Sequence, residues 1–156
     1  MTNQIDNKKQ KARLALIMKT GRLRLWFYYP ATRHYRYLSE AGEFGPEFNP
    51  SEFGQAFHPT DLEILRSLVF DICDGKQDSG KVKLRSRAEK ESECKHYEVS
   101  ITVISRDENG LPTALMGIQH DVTDEYRQQE KIKKLREELS HVPCVVLPKD
   151  YYDSED

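Results

Sequence analysis

The sequence predicts an α+β protein with a five-stranded antiparallel sheet, short helices over one face of the sheet and a helix at each end. Residues 97–103 alternate apolar or aromatic side chains with polar ones, which is the period of a half-buried strand. Residues 62–72 repeat apolar side chains at helical spacing. Asn109-Gly110 is typical of a tight turn between two strands. A chain of 156 residues is long enough to bury one core.

The chain begins with a polar stretch, residues 1–10, which we predict to be a flexible N-terminus. Leu14, Ile17 and Met18 then recur at helical spacing, so a short amphipathic helix is expected at residues 11–19. Gly21 is suited to end this helix, because glycine readily adopts the conformation found after a helix C-terminus.

Two strands are predicted next. Residues 23–29 alternate an apolar face with a partly aromatic one, and Pro30 ends the strand. Residues 34–39 are rich in tyrosine and suit the second strand of an antiparallel hairpin. Residues 40–57 contain too many aromatic side chains for a disordered linker, so we expect compact short helical turns there. The phenylalanines of this segment are Phe44, Phe48, Phe53 and Phe57.

The second half of the domain begins with a helix. Pro59 suits the first helical position, and Asp61 places a carboxylate in the first turn, where the helix dipole favours it. A strand is expected at residues 81–86, followed by a charged hairpin connection at residues 87–95. The strand at residues 97–103 and a final strand at residues 112–122 then complete the sheet.

The final strand leads into a charged helix. Asp121 and Thr123 can each offer a side-chain oxygen to the free N–H groups of the helix's first turn. Ile132, Leu135 and Leu139 follow at spacings of three and four, a coiled-coil rhythm that is too short to be stable alone. Residues 141–156 change character to two prolines, an apolar patch and an acidic end, and no role is predicted for this tail.

Composition excludes several classes of function. The net charge is −2 with acids and bases interspersed, so no basic stripe favours nucleic acid. The longest apolar runs fall far short of the ~20 residues that span a bilayer, so no membrane insertion is expected. We expect a soluble cytoplasmic protein. The three cysteines, Cys73, Cys94 and Cys144, are too irregularly spaced for a disulfide framework and are interpreted as free thiols.

The residue types that could hold a metal or perform catalysis have simpler structural interpretations. His58 precedes Pro59 at a helix start, where its ring can cap or pack. Cys94 and His96 form one ligand pair without a second, which falls short of a zinc site. Cys73 is flanked by acids, which oppose thiolate formation. We therefore predict no metal, no cofactor and no catalytic residue.

Three motifs occur in an order known from one family. These are His58-Pro59-Thr60-Asp61, the turn at residues 107–110, and Asp121-Val122-Thr123 before a charged helix. Together they resemble PAS domains, the small sensory modules of bacterial histidine kinases and related signalling proteins. The resemblance covers roughly residues 12–127 and includes the PAC portion of such modules.

The resemblance implies a division of the chain into residues 1–10 (flexible N-terminus), 11–126 (PAS domain with its N-terminal helix), 127–140 (signalling helix or short coiled coil) and 141–156 (tail). It also implies that Asp121 and Thr123 couple the sheet to the outgoing helix. It places a ligand cavity between the sheet and the helices, with candidate lining residues Trp26, Phe44, Phe48, Phe53, Tyr97, Val99 and Ile101.

The function that this resemblance implies is a non-catalytic sensory module of a two-component phosphorelay or a similar pathway, in which the C-terminal helix relays the binding of a small ligand or partner. A homodimer and a downstream signalling protein or kinase are the expected partners. A truncated sensor histidine kinase without its kinase domain would fit the same pattern. The alternatives are a ligand-free PAS dimerisation platform and a small cone-shaped α+β enzyme. The enzyme would need an inward carboxylate or histidine dyad.

Overall fold

Six strands and four α-helices occur in the part of the chain that this computed structural model describes, residues 2–141, with side chains described from residue 4. In chain order they are α1 (Thr2–Thr20), β1 (Leu23–Tyr29), β2 (His34–Leu38), β3 (Phe44–Phe48), α2 (Pro50–Gly54), α3 (Pro59–Cys73), β4 (Ser79–Arg85), β5 (His96–Arg106), β6 (Pro112–Asp121) and α4 (Thr123–Ser140). A 3₁₀ turn at Glu91–Glu93 lies between β4 and β5.

All six strands belong to one antiparallel sheet with the order β3-β2-β1-β6-β5-β4. The first strand in sequence therefore pairs with the last at the centre of the sheet, and β3 and β4 form its edges. One row of paired residues crosses five of the strands: Tyr37, Trp26, Gly117, Ile101 and Gly80. Paired residues point to the same face of a sheet, so this row belongs to a single face.

That face, called the inner face below, carries the core. Tyr35 stacks on Phe53 with ring centroids 3.9 Å apart, and Trp26 meets both rings edge to face at 5.5 and 5.2 Å. The apolar side of α3 packs over the same core through Leu62, Leu65, Val69 and Ile72. Aromatic rings are large apolar surfaces with strict contact geometry, so the contacts of Phe53 fix how α2 lies on the sheet.

Two glycines in the row of paired residues make room for large neighbours. A Cβ atom on Gly117 would lie 2.2 Å from Trp26, and one on Gly80 would lie 2.4 Å from Leu68 of α3. At such distances the neighbouring side chain or the strand would have to shift. Glycine at these two positions therefore allows the Trp26 ring to lie on the sheet and α3 to approach it closely.

The strand count corrects the sequence prediction, because the sheet has six strands instead of five. The additional strand is β3, within the segment that we expected to form only short helical turns; one such turn, α2, does follow it. Gly45 and Pro46 hide the alternation of a strand in β3. Proline is tolerated in an edge strand, and β3 forms its backbone hydrogen bonds with β2. The predicted α+β class is confirmed.

The N-terminal helix is longer than predicted. It begins at Thr2, within the stretch expected to be a flexible N-terminus, and continues to Thr20. The Gly21 N–H then donates to the Ile17 carbonyl oxygen at 2.9 Å, and Arg22 adopts a positive φ of 52°. Only one side of the last turns of α1 is covered by the rest of the domain. Met18 on that side is 4% exposed, whereas the neighbouring Ile17 is 57% exposed.

The chain separates into two units, of which the first ends at Thr123 and the second begins at Asp124. The predicted signalling helix at residues 127–140 lies inside α4, which starts four residues earlier. The predicted tail at residues 141–156 lies, apart from His141, outside the described residues. The predicted functional division at residues 10, 126 and 140 stays a prediction.

We predict that Gly117→Ala lowers the free energy of unfolding by about 1–3 kcal/mol, because the new methyl group must displace Trp26 or the strand. The matched control is Gly45→Ala on β3, where a Cβ atom would lie 3.6 Å from its nearest neighbour, the Tyr37 carbonyl oxygen. That variant should change stability by less than about 1 kcal/mol. Urea denaturation measures both, and equal losses would contradict the role assigned to Gly117.

Candidate functional site

The junction between β6 and α4 is held by three hydrogen bonds around Thr123. The Asp121 carboxylate accepts from the Thr123 backbone N–H at 3.0 Å and also from the Thr123 hydroxyl. The Thr123 hydroxyl oxygen in turn accepts from the His96 N–H at 3.0 Å. Thr123 is 7% exposed, so these bonds are partly shielded from water. The end of β6 is thereby joined to the start of β5.

Asp121 and Thr123 therefore differ in what they bind. Asp121 accepts from the first amide of α4, which fits the capping that the sequence predicts. Thr123 holds the first residue of β5, a contact that sequence reasoning missed because residues 96 and 123 meet only through strand pairing. The Val122 N–H also donates to the His96 carbonyl oxygen at 2.8 Å. Their predicted role in signal coupling stays a prediction.

The charge of Asp121 is stabilised by its surroundings. Burial by itself would raise the pKa of this carboxyl group. The hydrogen bonds from Thr123 and the nearby charges of Lys95 and Arg22 outweigh burial, so the net pKa is lowered. Asp121 is therefore ionised at neutral pH, when it acts as the acceptor of the junction.

A second polar contact joins the start of α3 to the end of β4. The Asp61 carboxylate, in a residue 7% exposed, accepts from the Arg85 backbone N–H, Nε and Nη2 at 2.8, 2.9 and 3.0 Å. Hydrogen bonding from the Arg85 side chain is the main reason that the pKa of Asp61 is lowered. His58 is the N-cap, and its Nδ1 accepts from the Thr60 N–H at 3.2 Å. These contacts agree with the structural interpretation of His58.

The predicted cavity-lining residues divide between the two faces of the sheet. Trp26, Phe53, Val99 and Ile101 are buried on the inner face, and Phe48 and Tyr97 pack at its margin. Phe44 was assigned wrongly. It is 47% exposed and packs on Phe27, on the opposite face, with ring centroids 5.3 Å apart. The reason is a register shift in the pairing of β2 with β3: Tyr35 pairs with Phe48 on the inner face, whereas beyond the shift Leu38 pairs with Phe44 on the opposite face.

A polar region lies at one end of the inner face, and the sequence reasoning did not identify it. Gln119 pairs with Val99 of the core on one side and with Arg24 on the other. The Arg24 guanidinium carbon lies 4.3 Å from the ring centre of Tyr37. The signal was available in principle, since Gln119 lies two residues after Gly117 and therefore shares its face.

Tyr37 and Tyr97 complete this polar region. Burial is the main cause that raises the pKa of both hydroxyl groups. The Arg24 charge acts on both in the opposite direction, and the Asp121 carboxylate adds to the increase at Tyr97. The two phenols and one guanidinium therefore lie within electrostatic reach of each other, and both phenols remain protonated at neutral pH.

The two cysteines in the described part of the chain are free thiols in partly or fully buried surroundings. Cys94 is buried, and its thiol donates to the Ser86 carbonyl oxygen at 3.4 Å. Burial raises the pKa of the Cys73 thiol, which disfavours the reactive thiolate. Among the helices of residues 2–141, none has the length and apolar character needed to cross a membrane.

Several solved structures share this fold. A sensory box histidine kinase/response regulator from Burkholderia thailandensis E264 matches with a TM-score of 0.60 and 20% identity, over 83% of this chain and 99% of that one. The N-terminal domain of a diguanylate cyclase with PAS/PAC sensor from Marinobacter aquaeolei matches with a TM-score of 0.50 and 16% identity, over 67% and 98%. An RNA-binding light-oxygen-voltage receptor matches with a TM-score of 0.53 and 13% identity, over 76% of this chain and 32% of that one.

These likenesses extend over 67% to 83% of this chain. The chain therefore has the PAS fold, as its motifs predicted. No family model matches the sequence, and no curated protein matches it either.

The two lowered carboxyl pKa values predict a loss of stability in acid. A carboxylate whose pKa is lowered in the folded state adds stability above its ordinary pKa of about 4, and this stability is lost as the pH falls through the lowered value. Asp61→Asn should cost about 1–3 kcal/mol at neutral pH. The stability curves of the variant and the unmodified protein should converge below about pH 4, as measured by chemical denaturation across pH.

The control for this prediction is Asp78→Asn. Its carboxylate is 82% exposed and pairs with Arg106 at 2.7 Å. Exposed pairs of this kind contribute at most about 1 kcal/mol. A difference between Asp61→Asn and the unmodified protein that persisted unchanged in acid would contradict the assignment of the carboxylate charge as its cause.

Proposed function

We propose that this chain is a non-catalytic sensory module that converts a change at the inner face of its sheet into a change in α4. One observation carries the proposal. β6 holds Gly117 and Gln119 on the inner face, and the same strand ends at the Asp121 and Thr123 junction, directly before α4. A single central strand therefore connects the core with the outgoing helix.

Strand geometry gives this connection a physical basis. β6 pairs along its length with β1 and β5, so it moves with them as a unit. A ligand that shifted Trp26 or Gln119 would displace β6, and Asp121 lies only two residues beyond Gln119. The His96 to Thr123 bond would then strengthen or weaken with the position of β6. The change is local and polar, which suits a switch that leaves the core intact.

The expected output is a signalling protein such as a kinase. Two of the solved structures with this fold are described as a sensory box histidine kinase/response regulator and a diguanylate cyclase with a PAS/PAC sensor. We extend that setting to this chain as a proposal, together with a place in a two-component or related pathway. The stimulus is a small ligand or a partner protein.

A second candidate function is a ligand-free dimerisation platform. The aromatic packing of Trp26, Tyr35 and Phe53 supports it, because stacked rings can fill a core without a ligand. Ligand copurification separates the two functions. A small molecule released in stoichiometric amount from the purified protein supports the sensory module, and no released molecule favours the platform.

The junction is tested by Asp121→Ala combined with Thr123→Ala. We expect faster hydrogen exchange in residues 124–139 and at the His96 N–H, which loses its acceptor, but unchanged protection in residues 97–103. The two side chains supply polar contacts worth about 0.5–2 kcal/mol each and little apolar burial. Ile101→Ala, by contrast, removes a fully buried side chain and should cost ~2–5 kcal/mol across the whole domain.

The matched control removes a hydroxyl pair from the opposite end of the same two strands. Ser105 and Thr113 are hydrogen-bonded to each other there, and replacing both with Ala should leave exchange in residues 124–139 unchanged. If the Asp121 and Thr123 variant instead lost protection uniformly along β5, with no greater loss in α4, the junction would have no special role in coupling the sheet to α4.

We also propose a parallel homodimer formed through the flanking helices. The apolar positions predicted on α1, Leu14, Ile17 and Met18, do not all face outward. Met18 is buried within its own subunit and Leu14 is half-buried, whereas Leu16 and Ile17 are 65% and 57% exposed. On α4, Ile132, Leu135 and Leu139 are likewise exposed.

Replacing Leu16 and Ile17 with Glu should shift the dimer to monomer, because two charges would enter an apolar contact. Light scattering across a concentration series measures the change. Ile64→Glu on α3, where the side chain is 54% exposed, is the control and should leave the association unchanged. A monomer at every concentration of the unmodified protein would remove the proposal.

A further inference from the structure

Two buried polar atoms on the inner face lack a hydrogen-bond partner within the described part of the chain. They are the Gln119 side-chain oxygen, in a residue 2% exposed, and the Trp26 indole N–H, in a residue with no exposed surface. Buried polar atoms in proteins are nearly always hydrogen-bonded. The unpaired acceptor and the unpaired donor therefore each require a partner, either water or another molecule.

The two side chains are close neighbours on paired strands. Arg24 pairs with Gln119, and Trp26 pairs with Gly117, so Trp26 and Gln119 are diagonal neighbours on one face. Such diagonal positions are about 7–8 Å apart at their Cα atoms. A molecule of a few heavy atoms can therefore span both positions once the side chains that enclose them move apart, with an acceptor facing Trp26 and a donor facing Gln119.

Arg24 brings positive charge to the same place. It is exposed and forms no ion pair with any of the described residues, and its guanidinium lies over the ring of Tyr37. The polar groups become more buried from the surface towards the core. Arg24 is exposed, Tyr37 and Tyr97 are half-buried, and Gln119 is buried. A guanidinium is suited to bind a carboxylate.

We propose that Arg24, Trp26 and Gln119 bind a small organic carboxylate that carries an O–H or N–H donor on the neighbouring carbon. The carboxylate accepts from Arg24 and the Trp26 indole, and the neighbouring donor is accepted by the Gln119 oxygen. This inference rests on the proposed sensory function and names the class of ligand for it.

The chain contains one tryptophan, so its indole N–H gives a single nitrogen-15 signal that reports on this site directly. Four probes are added to the full chain in turn: lactate, alanine, acetate and lactamide. Lactate and alanine carry the carboxylate and a hydroxyl or amino donor, acetate lacks the donor, and lactamide lacks the charge. Saturable movement of the indole signal is expected with lactate, alanine or both, at lower concentration than with acetate or lactamide.

Three variants make the test specific. Arg24→Gln, at an exposed position where the fold is not at risk, should weaken binding of the charged probes about tenfold or more and leave lactamide unchanged. Gln119→Met keeps the length of the side chain, removes the acceptor and should abolish the preference for lactate or alanine over acetate. Lys83→Gln, an exposed cation on the opposite face of the sheet, should change nothing.

The inference is overturned if none of the four probes moves the indole signal, which would leave water as the partner of both atoms, or if Arg24→Gln binds the charged probes as well as the unmodified protein does. The sensory proposal fails separately. If lactate or alanine binds but hydrogen exchange of residues 124–139 is the same with and without it, the site stands and the relay does not. If the junction variant loosens α4 while no probe binds, the relay stands and the proposed ligand site does not.

Discussion

The contact between Trp26 and Gly117 is the constraint on which the rest of the domain depends. The indole lies directly on the backbone of the neighbouring strand, where any side chain would collide with it. This contact fixes the first and last strands against each other at the centre of the sheet. The rings of Tyr35 and Phe53 then pack against the indole, and they in turn position α2. Gly80, at the far end of the same row of paired residues, allows α3 to approach this face of the sheet closely.

Polar contacts hold the margins of this core. Asp61 and Arg85 join the start of α3 to the end of β4, and Asp121 and Thr123 join the ends of β6 and β5. Each contact contributes less than a buried aromatic ring, and each is closer to water. The domain therefore combines a core that resists change with margins that can open at low cost. The proposed sensory function would need this division, because the output of a sensory module must change while its fold persists.

The inner face is itself divided. Its centre is aromatic and apolar, whereas the end nearest the junction contains Arg24, Gln119 and the two phenols of Tyr37 and Tyr97. An apolar core alone would be more stable, since buried polar atoms without partners reduce the stability of the folded state. Gln119 of this polar end lies on the same strand as Asp121, so binding there would act on the strand that leads into α4. The proposed ligand class and the proposed relay thus concern one continuous piece of structure.

The sequence by itself determined the α+β class, the order of the elements other than β3, the start of α3 at Pro59 and the presence of polar side chains at Asp121 and Thr123, and its motifs resembled those of PAS domains. These features depend on local patterns such as periodicity, caps and turn residues, which neighbouring residues encode. Only the tertiary structure decided that Phe44–Phe48 is a strand, that Phe44 lies on the opposite face, that Thr123 binds His96, and that Arg24 and Gln119 meet at one end of the core. Each of these depends on which strands pair and in what register, and the residues that meet there are far apart in the chain.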